Sequence, residues 1–329
     1  MRIFAFEYVT AGGCRECAAP ASLIAEGAMM VRALAGDLSR LPGVEVVVAR
    51  DPAIRLRDVA ADIRAVDPED LWAGWGELIA RCDAVWPIAP ETGGILEEVT
   101  ALALRHDRPV LSTSGDALAI ARSKRATAVH LARAGVPVAA TARLGEAPPA
   151  SDHGWVVKPD DGAGAVDTHF LPDRAALALW QEHHRERNIV VQPFLPGTPL
   201  SLSLLMQEGA CWVLSCNVQH VRCEGGVFAY RGGTVGGAEA RRPALEKLAV
   251  RVAAALPGLW GYVGVDVIDG PDGPAVIEVN PRLTTSYVGL AESLSLNPAG
   301  LVLSLLEQPL RALIRPLAPR PVEIIVPRR

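Results

Sequence analysis

The order of apolar and polar positions divides the first 112 residues into short apolar runs and longer segments of helical periodicity. Short runs rich in β-branched residues predict buried strands, and apolar residues recurring every three or four positions predict helices. The predicted strands are 2–9, 44–49, 84–88 and 110–111, and the predicted helices are 20–41, 68–82 and 91–105. Asp67 followed by Pro68 suits the start of the second helix. Strands alternating with helices indicate a parallel sheet covered on both faces.

Beyond residue 112 the pattern favours strands in succession, with fewer helices between them. A helix is predicted to run to Ala134, capped by Asp116 or Ser123. Further helices are predicted at 174–187, 241–256 and 291–313, and strands at 155–159, 201–206 and 210–217. The two apolar runs around the Gly/Pro segment 269–274 predict a hairpin.

The hairpin carries the most informative polar residues. If its turn is centred on Asp272, Asp266 lies directly across from Glu278, and Asn280 shares the face of Glu278 because side chains alternate along a strand. Two facing carboxylates repel each other, and a divalent cation between them would convert that cost into a binding site. Their oxygen ligands suit Mg²⁺ or Mn²⁺. The alternative is an ordinary hairpin whose acids point into water.

Arg282 follows one proline after Asn280, so it would stand beside such a metal. A planar guanidinium can bind phosphate or carboxylate oxygens through two parallel hydrogen bonds. Arg282 is therefore a candidate catalytic residue.

Composition excludes several classes of function. No apolar run reaches the roughly 18 residues that a membrane span needs, and a net charge of −5 provides no basic surface for nucleic acid. The N-terminus predicts a strand and not a signal peptide. The expected lack of a signal peptide, together with six cysteines in a chain of this size, predicts reduced thiols and a cytoplasmic location. Cys14 and Cys17 form a lone C-x-x-C that could bind zinc, form a redox pair or remain free thiols.

Lysine is rare, since 32 basic residues include only Lys124, Lys158 and Lys247. Lys158 ends a predicted strand and precedes a loop that contains Gly162 and Gly164. Glycine tolerates positive φ, which lets backbone N–H groups close around phosphate oxygens. The loop matches neither a P-loop nor a complete dinucleotide fingerprint. Lys124, by contrast, is either a phosphate ligand or an exposed helix residue.

Several residues at strand ends and in loops are candidates for substrate binding. In a parallel sheet, ligands bind beyond the carboxyl ends of the strands. The candidates there are Glu7, Gly13, Glu91 and Thr92. For each of these residues a structural role in a turn or a helix cap is about as well supported as a role in substrate binding. The segment 231–237, which begins with Arg231, is predicted to be a loop that approaches substrate or phosphate, or a mobile loop without a partner.

The metal-binding pattern carries a family resemblance. Asp266 together with the run 278–282 (EVNPR) resembles the metal-binding end of the ATP-grasp superfamily, which comprises ATP-dependent carboxylate–amine ligases and their carboxylase relatives. The E-x-N-P-R form resembles the biotin carboxylase and carbamoyl-phosphate synthase branch. The segment 284–290 (TTSYVGL), with FEY at 6–8 and PET at 90–92, is more similar to the tyramine–glutamate ligases of methanofuran and methylofuran biosynthesis.

Other parts of the chain resemble ATP-grasp motifs in the expected order. Lys124, between Ser123 and a helix that ends in Gly-Val-Pro, resembles the first ATP-grasp lysine, and Lys158 with its glycine-rich loop resembles the second. The segment 192–197 resembles the linker that contacts adenine, with Gln192 and Leu195 as predicted pocket residues. Pro193 stands where an acid is common, so one main-chain N–H and one carboxylate are absent.

The resemblance implies an α/β protein: a parallel N-terminal pre-ATP-grasp domain at 1–112, then a two-subdomain α+β ATP-grasp fold at 113–193 and 194–329. It implies ATP with Mg²⁺ or Mn²⁺ as cofactors, and small-molecule substrates, glutamate and an amine. The resemblance leaves open whether the chain forms a homo-oligomer. The implied roles are phosphate and adenine binding by Lys124, Lys158, Gly162, Gly164, Gln192 and Leu195, metal binding by Asp266, Glu278 and Asn280, catalysis by Arg282 and Lys158, and substrate binding by Glu7, Gly13, Glu91, Thr92, Arg231 and Thr284.

The implied reaction is amide formation through an acyl phosphate, joining glutamate to tyramine or a tyrosine-like amine. Two alternatives stay open: a ligase for another amino acid or a pterin-type acceptor, and an ATP-binding regulator without turnover. D-Alanine–D-alanine ligases carry an arginine two residues before the metal aspartate, where this chain has Gly264. That departure argues against their branch.

Overall fold

The computed structural model describes residues 1–14, 21–67, 69–162, 164–184 and 187–327. The N-terminal strands are β1 (Arg2–Glu7), β2 (Glu45–Arg50), β3 (Asp62–Ala65) and β4 (Ala84–Ile88), and the helices between and after them are α1 (Ala21–Ser39), α2 (Leu71–Ala80) and α3 (Ile95–Arg105). The strands form a parallel sheet in the order β3-β2-β1-β4. A single parallel bridge from Val85 to Val110 extends it at the β4 edge. The predicted parallel α/β domain is confirmed.

The second half of the chain is built on antiparallel strands. The helices are α4 (Gly115–Ala121), α5 (Lys124–Arg133), α6 (Arg174–His183), α7 (Arg242–Ala255), α8 (Leu290–Leu294) and α9 (Pro298–Ser304). The strands are β5 (Ala142–Arg143), β6 (Trp155–Pro159), β7 (His169–Leu171), β8 (Ile189–Pro193), β9 (Thr198–Gln207), β10 (Ala210–Glu224), β11 (Val227–Val235), β12 (Gly261–Gly270), β13 (Gly273–Asn280) and β14 (Val322–Ile325).

Within the described ranges these strands join in the order β13-β12-β9-β10-β11-β7-β6-β8-β5, and β14 pairs with β11. The sheet is narrowest where β11 meets β7, since the paired residues there are only Val227 and His169. On one side of that point the strands β9, β10, β12 and β13 pack against α7, and on the other β6 and β8 pack against α6. This mixed architecture confirms the predicted fold class.

Helix α1 lies between the two halves of the molecule. Its buried residues, among them Val31 and Leu34, share a core with Ile3 of β1 and with Tyr287 and Leu290, which follow the hairpin of β12 and β13. The start of the helix is pressed close to the end of β1, because a Cβ atom added at Gly27 would lie 2.5 Å from the Glu7 carboxylate. This packing brings α1 next to the predicted site.

Several predicted boundaries were wrong. Helix α2 begins at Leu71, and Asp67 accepts a hydrogen bond from the backbone of Glu69 instead of capping the helix; Pro68 lies outside the described residues. Helix α3 begins at Ile95, because Gly93 and Gly94 have φ of +64° and +76°, outside the helical region. The predicted β1 ends two residues earlier, at Glu7.

Other differences lie in the second half. Of the two predicted caps for the helix that reaches Ala134, Ser123 is confirmed, since its side chain accepts from the backbone of Ala126 at the start of α5. Asp116 lies instead inside the separate helix α4. The predicted loop 231–237 is strand β11 as far as Val235. The predicted helix 291–313 is divided into α8, α9 and a short 3₁₀ turn, and the Pro/Arg-rich tail contributes β14. In the described residues no helix is long and apolar enough to cross a bilayer.

Candidate active site at the hairpin and the two lysines

The hairpin of β12 and β13 holds the predicted metal ligands together. Asp266 pairs directly with Glu278, and Asn280, opposite Gly264, donates to Asp266 at 3.4 Å. The turn itself contains two residues, Pro271 and Asp272, between the paired Gly270 and Gly273. That turn alone would set Asp266 against Ile277. A bulge between Asp266 and Val267 shifts the register by one residue and makes the two carboxylates face each other.

A third strand supports Asp266. Gln219 on β10 donates from Nε2 to the carboxylate of Asp266 at 2.9 Å. Burial and the neighbouring Glu278 raise the pKa of Asp266 to about 7, so its ionised form is disfavoured relative to that of an ordinary aspartate, and a nearby positive charge would favour it. A divalent cation between the facing carboxylates would relieve their repulsion.

Lys124 connects this hairpin to the glycine-rich loop. It is the first residue of α5, and its ammonium lies 3.0 Å from the Glu278 carboxylate and 2.5 Å from the carbonyl oxygen of Gly162. The loop is also fixed by Asp160, whose two carboxylate oxygens accept from the Ser123 hydroxyl at 2.7 Å and the Arg125 backbone at 2.9 Å. The side chain of Lys124 is only 5% exposed, so Lys124 is not an ordinary surface lysine.

Lys158 is buried at the end of β6, and in the described part of the chain its ammonium has neither an ion pair nor a hydrogen bond. Burial lowers the pKa of Lys158 to about 8, and the nearby Lys124 adds to this effect, while Glu278 and Asp266 oppose it. A buried cation without a direct partner is costly. A polyanion bound between the two lysines would supply that partner.

The donor set suits a hard cation. Asp266, Glu278 and Asn280 present carboxylate and amide oxygens, the ligands that Mg²⁺ and Mn²⁺ accept. Across the described ranges no group of three or more His, Cys, Asp and Glu residues could hold a metal. Two protein carboxylates leave coordination positions for phosphate oxygens and water, as is usual for Mg²⁺ beside a nucleotide. Cys17 of the C-x-x-C pair lies outside the described residues.

Arg282 is paired with Glu91 of the N-terminal sheet. The guanidinium donates from Nε and Nη2 to the two carboxylate oxygens, both at 2.9 Å, and the side chains are 11% and 5% exposed. A third bond goes from Nη1 to the carbonyl of Leu283 at 3.2 Å. A guanidinium has five N–H donors, so two remain for a ligand. Two residues predicted separately for catalysis and substrate binding thus form one unit.

The turn after Glu91 binds the glycine-rich loop. The Thr92 hydroxyl donates to the carbonyl of Asp161, and the Gly93 backbone donates to its carboxylate, each at 2.9 Å. Gly93 and Gly164 both have positive φ, as the tight turns on the two sides of this contact require. The segment 91–94 therefore contacts Arg282 on one side and the predicted phosphate loop on the other.

Other predicted residues have structural partners. Glu7 accepts from the backbone of Val9 and Thr10 at 3.1 and 2.7 Å. A Cβ atom at Gly13 would lie 2.2 Å from the ring of Tyr8, so that glycine is needed for packing. These contacts explain both residues without a substrate.

The remaining candidates are less closely tied to the site. The Thr284 hydroxyl is within hydrogen-bond distance of the Tyr262 hydroxyl at 3.1 Å and of Ser286 at 3.0 Å. Arg231, on β11, makes no side-chain ion pair or hydrogen bond to any described residue. Gln192 is buried and donates to Thr141 at 2.9 Å, and Leu195 is half-buried. Adenine binding by these two residues stays a prediction.

Sequence reasoning missed several residues of the site. Asp160 and Asp161 lie between Lys158 and Gly162, so their position beside the loop was a visible signal. Gln219 carried no signal, because its contact with Asp266 spans 47 residues. Glu26, which accepts a hydrogen bond from Thr285, was missed for the same reason, since 259 residues separate them.

Comparison with known proteins gives consistent similarities. A family model described as an ATP-grasp domain matches residues 121–286, and one described as pre ATP-grasp 3 domain matches 44–118. The tyramine–L-glutamate ligase of Methanocaldococcus fervens is 26% identical over 298 residues, which is 89% of this chain and 91% of that protein. The protein of the same name from Methanocaldococcus jannaschii is 31% identical over 209 residues, covering 64% and 58%.

Solved structures show the same architecture. An ATP-grasp superfamily protein from Archaeoglobus fulgidus superposes with a TM-score of 0.69 at 25% identity, covering 92% of this chain and 88% of that one. An L-amino acid ligase from Bacillus licheniformis superposes with a TM-score of 0.68 at 19% identity, covering 92% and 73%. At that identity the second likeness concerns the fold alone.

Proposed function

Because this chain belongs to the ATP-grasp family, whose model spans half of it, we propose that it is an ATP-dependent carboxylate–amine ligase joining L-glutamate to tyramine or a tyrosine-like amine. The observation that carries the proposal is the pair of buried lysines beside two facing carboxylates. Lys124 contacts Glu278 at 3.0 Å, and Lys158 is buried without a direct partner in the described structure. The names of the two relatives support the choice of substrates.

Binding of ATP is assigned to the lysines and the glycine-rich loop. Lys158 and Lys124 would neutralise phosphate charge, and the backbone around Gly162 and Gly164 would surround the phosphate oxygens. Asp160 and the Thr92 turn hold that loop in place. Lys124 would exchange its present bond to Gly162 for a phosphate oxygen. We assign Gln192 and Leu195 to the adenine pocket as part of the same proposal.

Asp266, Glu278 and Asn280 would hold Mg²⁺ or Mn²⁺, which supplies charge neutralisation for the phosphates during transfer. The protein's own contribution is to orient these ligands. Gln219 fixes one oxygen of Asp266, and the bulge in the hairpin aims Asp266 and Glu278 at each other. Outer hydrogen bonds of this kind determine how well a metal is held.

The chemistry proceeds in two steps. A substrate carboxylate attacks the γ-phosphorus of ATP, ADP leaves, and an acyl phosphate forms. The amine then attacks the acyl carbon, phosphate leaves, the amine loses its proton, and an amide remains. Positioning and charge neutralisation dominate phosphoryl transfer. No covalent bond to the protein is needed.

Arg282 is assigned to the acyl group. Its pairing with Glu91 and Leu283 fixes the plane of the guanidinium, and its two remaining N–H groups can donate to the carboxylate and to the oxyanion of the tetrahedral intermediate. Glu91 is thus a positioning residue in this proposal and not a substrate ligand. The family resemblance further implies that the amide is used in the biosynthesis of a furan-type one-carbon carrier. A cytoplasmic location is part of the same proposal.

The test uses the purified chain with L-glutamate, tyramine and Mg-ATP. ADP release should require both the acid and the amine, and an ¹⁸O label in the glutamate carboxylate should appear in inorganic phosphate. Omission of tyramine and the variant Lys158→Met serve as controls. Absence of ADP above background with both tyramine and tyrosine would remove these substrates, and a screen of other amines with glutamate would then identify another acceptor.

A further inference from the structure

The carboxylates around the site differ in what neutralises them. Glu278 has Lys124, Glu91 has Arg282, and Glu7 has two backbone N–H groups. Glu26 on α1 differs from these three, and unlike Asp266 it is not among the proposed metal ligands. Within the described residues it forms no ion pair, and its carboxylate accepts a hydrogen bond from the Thr285 hydroxyl. It is also half-buried, so water compensates its charge only in part.

The surroundings of Glu26 belong to the substrate side of the site. Thr285 is three residues from Arg282, and the charge of Glu26 acts on Arg282 and on Tyr230. Burial raises the pKa of Tyr230, and the nearby Glu26 and Asp266 raise it further. Tyr230 therefore stays neutral, and its hydroxyl, which is hydrogen-bonded to Thr285, keeps a lone pair that can accept another hydrogen bond. Glu26, Thr285 and Tyr230, which we call the acceptor group, come from α1, from the segment after the hairpin and from β11.

This composition matches one chemical class of ligand. A primary ammonium has three N–H donors and one positive charge, so it is satisfied by one carboxylate and two neutral oxygen acceptors. A phosphate or carboxylate group would be repelled by Glu26. It would be attracted instead to the two lysines and to Arg282. We propose that the acceptor group binds the ammonium of a substrate, with Glu26 as its counter-ion. This inference rests on the proposed function, because it assigns a subsite of that reaction.

The ammonium can come from two sources. L-Glutamate carries an α-ammonium beside the carboxylates, and tyramine carries the amine that becomes the amide nitrogen. The shared chemistry is a primary ammonium, and the substrates can be varied separately. Glutarate, which is glutamate without its α-ammonium, is a matched probe for the first source, and tyrosol, which is tyramine with a hydroxyl in place of the amine, is one for the second.

The test compares the wild type with Glu26→Gln. Glutamine keeps the size of the side chain and an oxygen that accepts from Thr285, while the charge is lost. Glu307→Gln, at an exposed glutamate, is the control. We expect the KM of one ammonium substrate to rise about tenfold to a hundredfold in Glu26→Gln, the range of a charge-assisted hydrogen bond, while the KM of ATP stays within about twofold. A rise in the KM of L-glutamate would show that the acceptor group binds the α-ammonium of glutamate. A rise in the KM of tyramine would show that it binds the amine of tyramine.

Calorimetric binding separates this inference from the proposed function. The wild type should bind L-glutamate or tyramine more tightly than Glu26→Gln does, while glutarate and tyrosol should bind both proteins equally. If the wild type turns over but no KM changes by more than about twofold, the subsite is excluded and the ligase remains. If no turnover occurs but binding of an ammonium depends on Glu26, the subsite stands without the ligase. If the wild type binds neither ammonium, the subsite is excluded. Equal melting temperatures of the two proteins show that Glu26→Gln is folded.

Discussion

Arg282 and Glu91 bind each other through two hydrogen bonds of 2.9 Å, although 191 residues separate them. Arg282 follows the hairpin of β12 and β13, and Glu91 follows β4 of the parallel sheet. The pair therefore joins the N-terminal sheet to the candidate active site. Both side chains are nearly buried, so their electrostatic interaction is screened only weakly by water.

Substitution of Glu91 tests this connection. In Glu91→Gln the guanidinium of Arg282 stays buried without its direct ion-pair partner, and removing one partner of a buried ion pair typically costs about 3–5 kcal/mol. We expect the free energy of unfolding in urea to fall by about that amount, and ligase activity to fall because Arg282 is no longer held in one plane. Glu77→Gln removes an exposed pair with Arg81, whose side chains are 74% and 72% exposed, and should change neither quantity. Equal stability of Glu91→Gln and the wild type would contradict the assigned role.

Lys158 should reduce stability in the absence of ligand. Its pKa is lowered from 10.5 to about 8 by burial, so below pH 8 the native protein must hold a buried ammonium. Between pH 8 and 10.5 the unfolded chain binds this proton and the native protein does not, so stability rises with pH. Relative to Lys158→Met, the wild type should gain on the order of 3 kcal/mol over this interval.

The measurement is urea unfolding of both proteins from pH 7 to 10.5 without nucleotide or metal. At pH 7 we expect Lys158→Met to be at least as stable as the wild type, yet to have lost ATP turnover. Lys247→Met is the matched control, since Lys247 is exposed on α7 and should show no pH-dependent difference. A lower stability of Lys158→Met at pH 7 would show that the ammonium has a partner in the unliganded protein.

The facing carboxylates predict a metal requirement. We expect Glu278→Gln to lose at least about 10- to 100-fold in activity, the loss typical even of outer hydrogen-bond partners of a metal ligand. Binding of Mn²⁺ in the presence of ADP, measured by electron paramagnetic resonance, should weaken in parallel. Asp272→Asn lies in the exposed turn of the same hairpin and should bind Mn²⁺ like the wild type. Undiminished Mn²⁺ binding by Glu278→Gln would exclude this site.

The contact between the Thr92 turn and the glycine-rich loop is testable through ATP binding. Thr92→Val removes the hydrogen bond to the carbonyl of Asp161, which at about 1 kcal/mol corresponds to roughly a fivefold rise in the KM of ATP. Thr92→Ser keeps a hydroxyl and is the control. Limited proteolysis should cut Thr92→Val faster within residues 160–168. If Thr92→Val binds ATP like Thr92→Ser, the contact has no part in holding the loop for nucleotide binding.

The sequence by itself determined the parallel N-terminal unit, the strand that carries Lys158 and the oxygen donors of the proposed metal site. These follow from local patterns, because strand periodicity and residue chemistry are properties of neighbouring residues. The pairing of Asp266 with Glu278 was predicted from a turn centred on Asp272, whereas the real turn is centred between Pro271 and Asp272. A bulge, which no local rule specifies, restores the pairing.

Only the tertiary structure decided which residues share the site. The partners of Arg282, Asp266 and Thr285 are Glu91, Gln219 and Glu26, which are distant in sequence and lie on elements brought together by the packing of α1 and the two sheets. The structure also gave Glu7 a backbone role, because the same packing places its carboxylate against the N–H groups of the following turn. Such contacts depend on how whole elements pack, so the physical information that defines them is not present in any local segment of the chain.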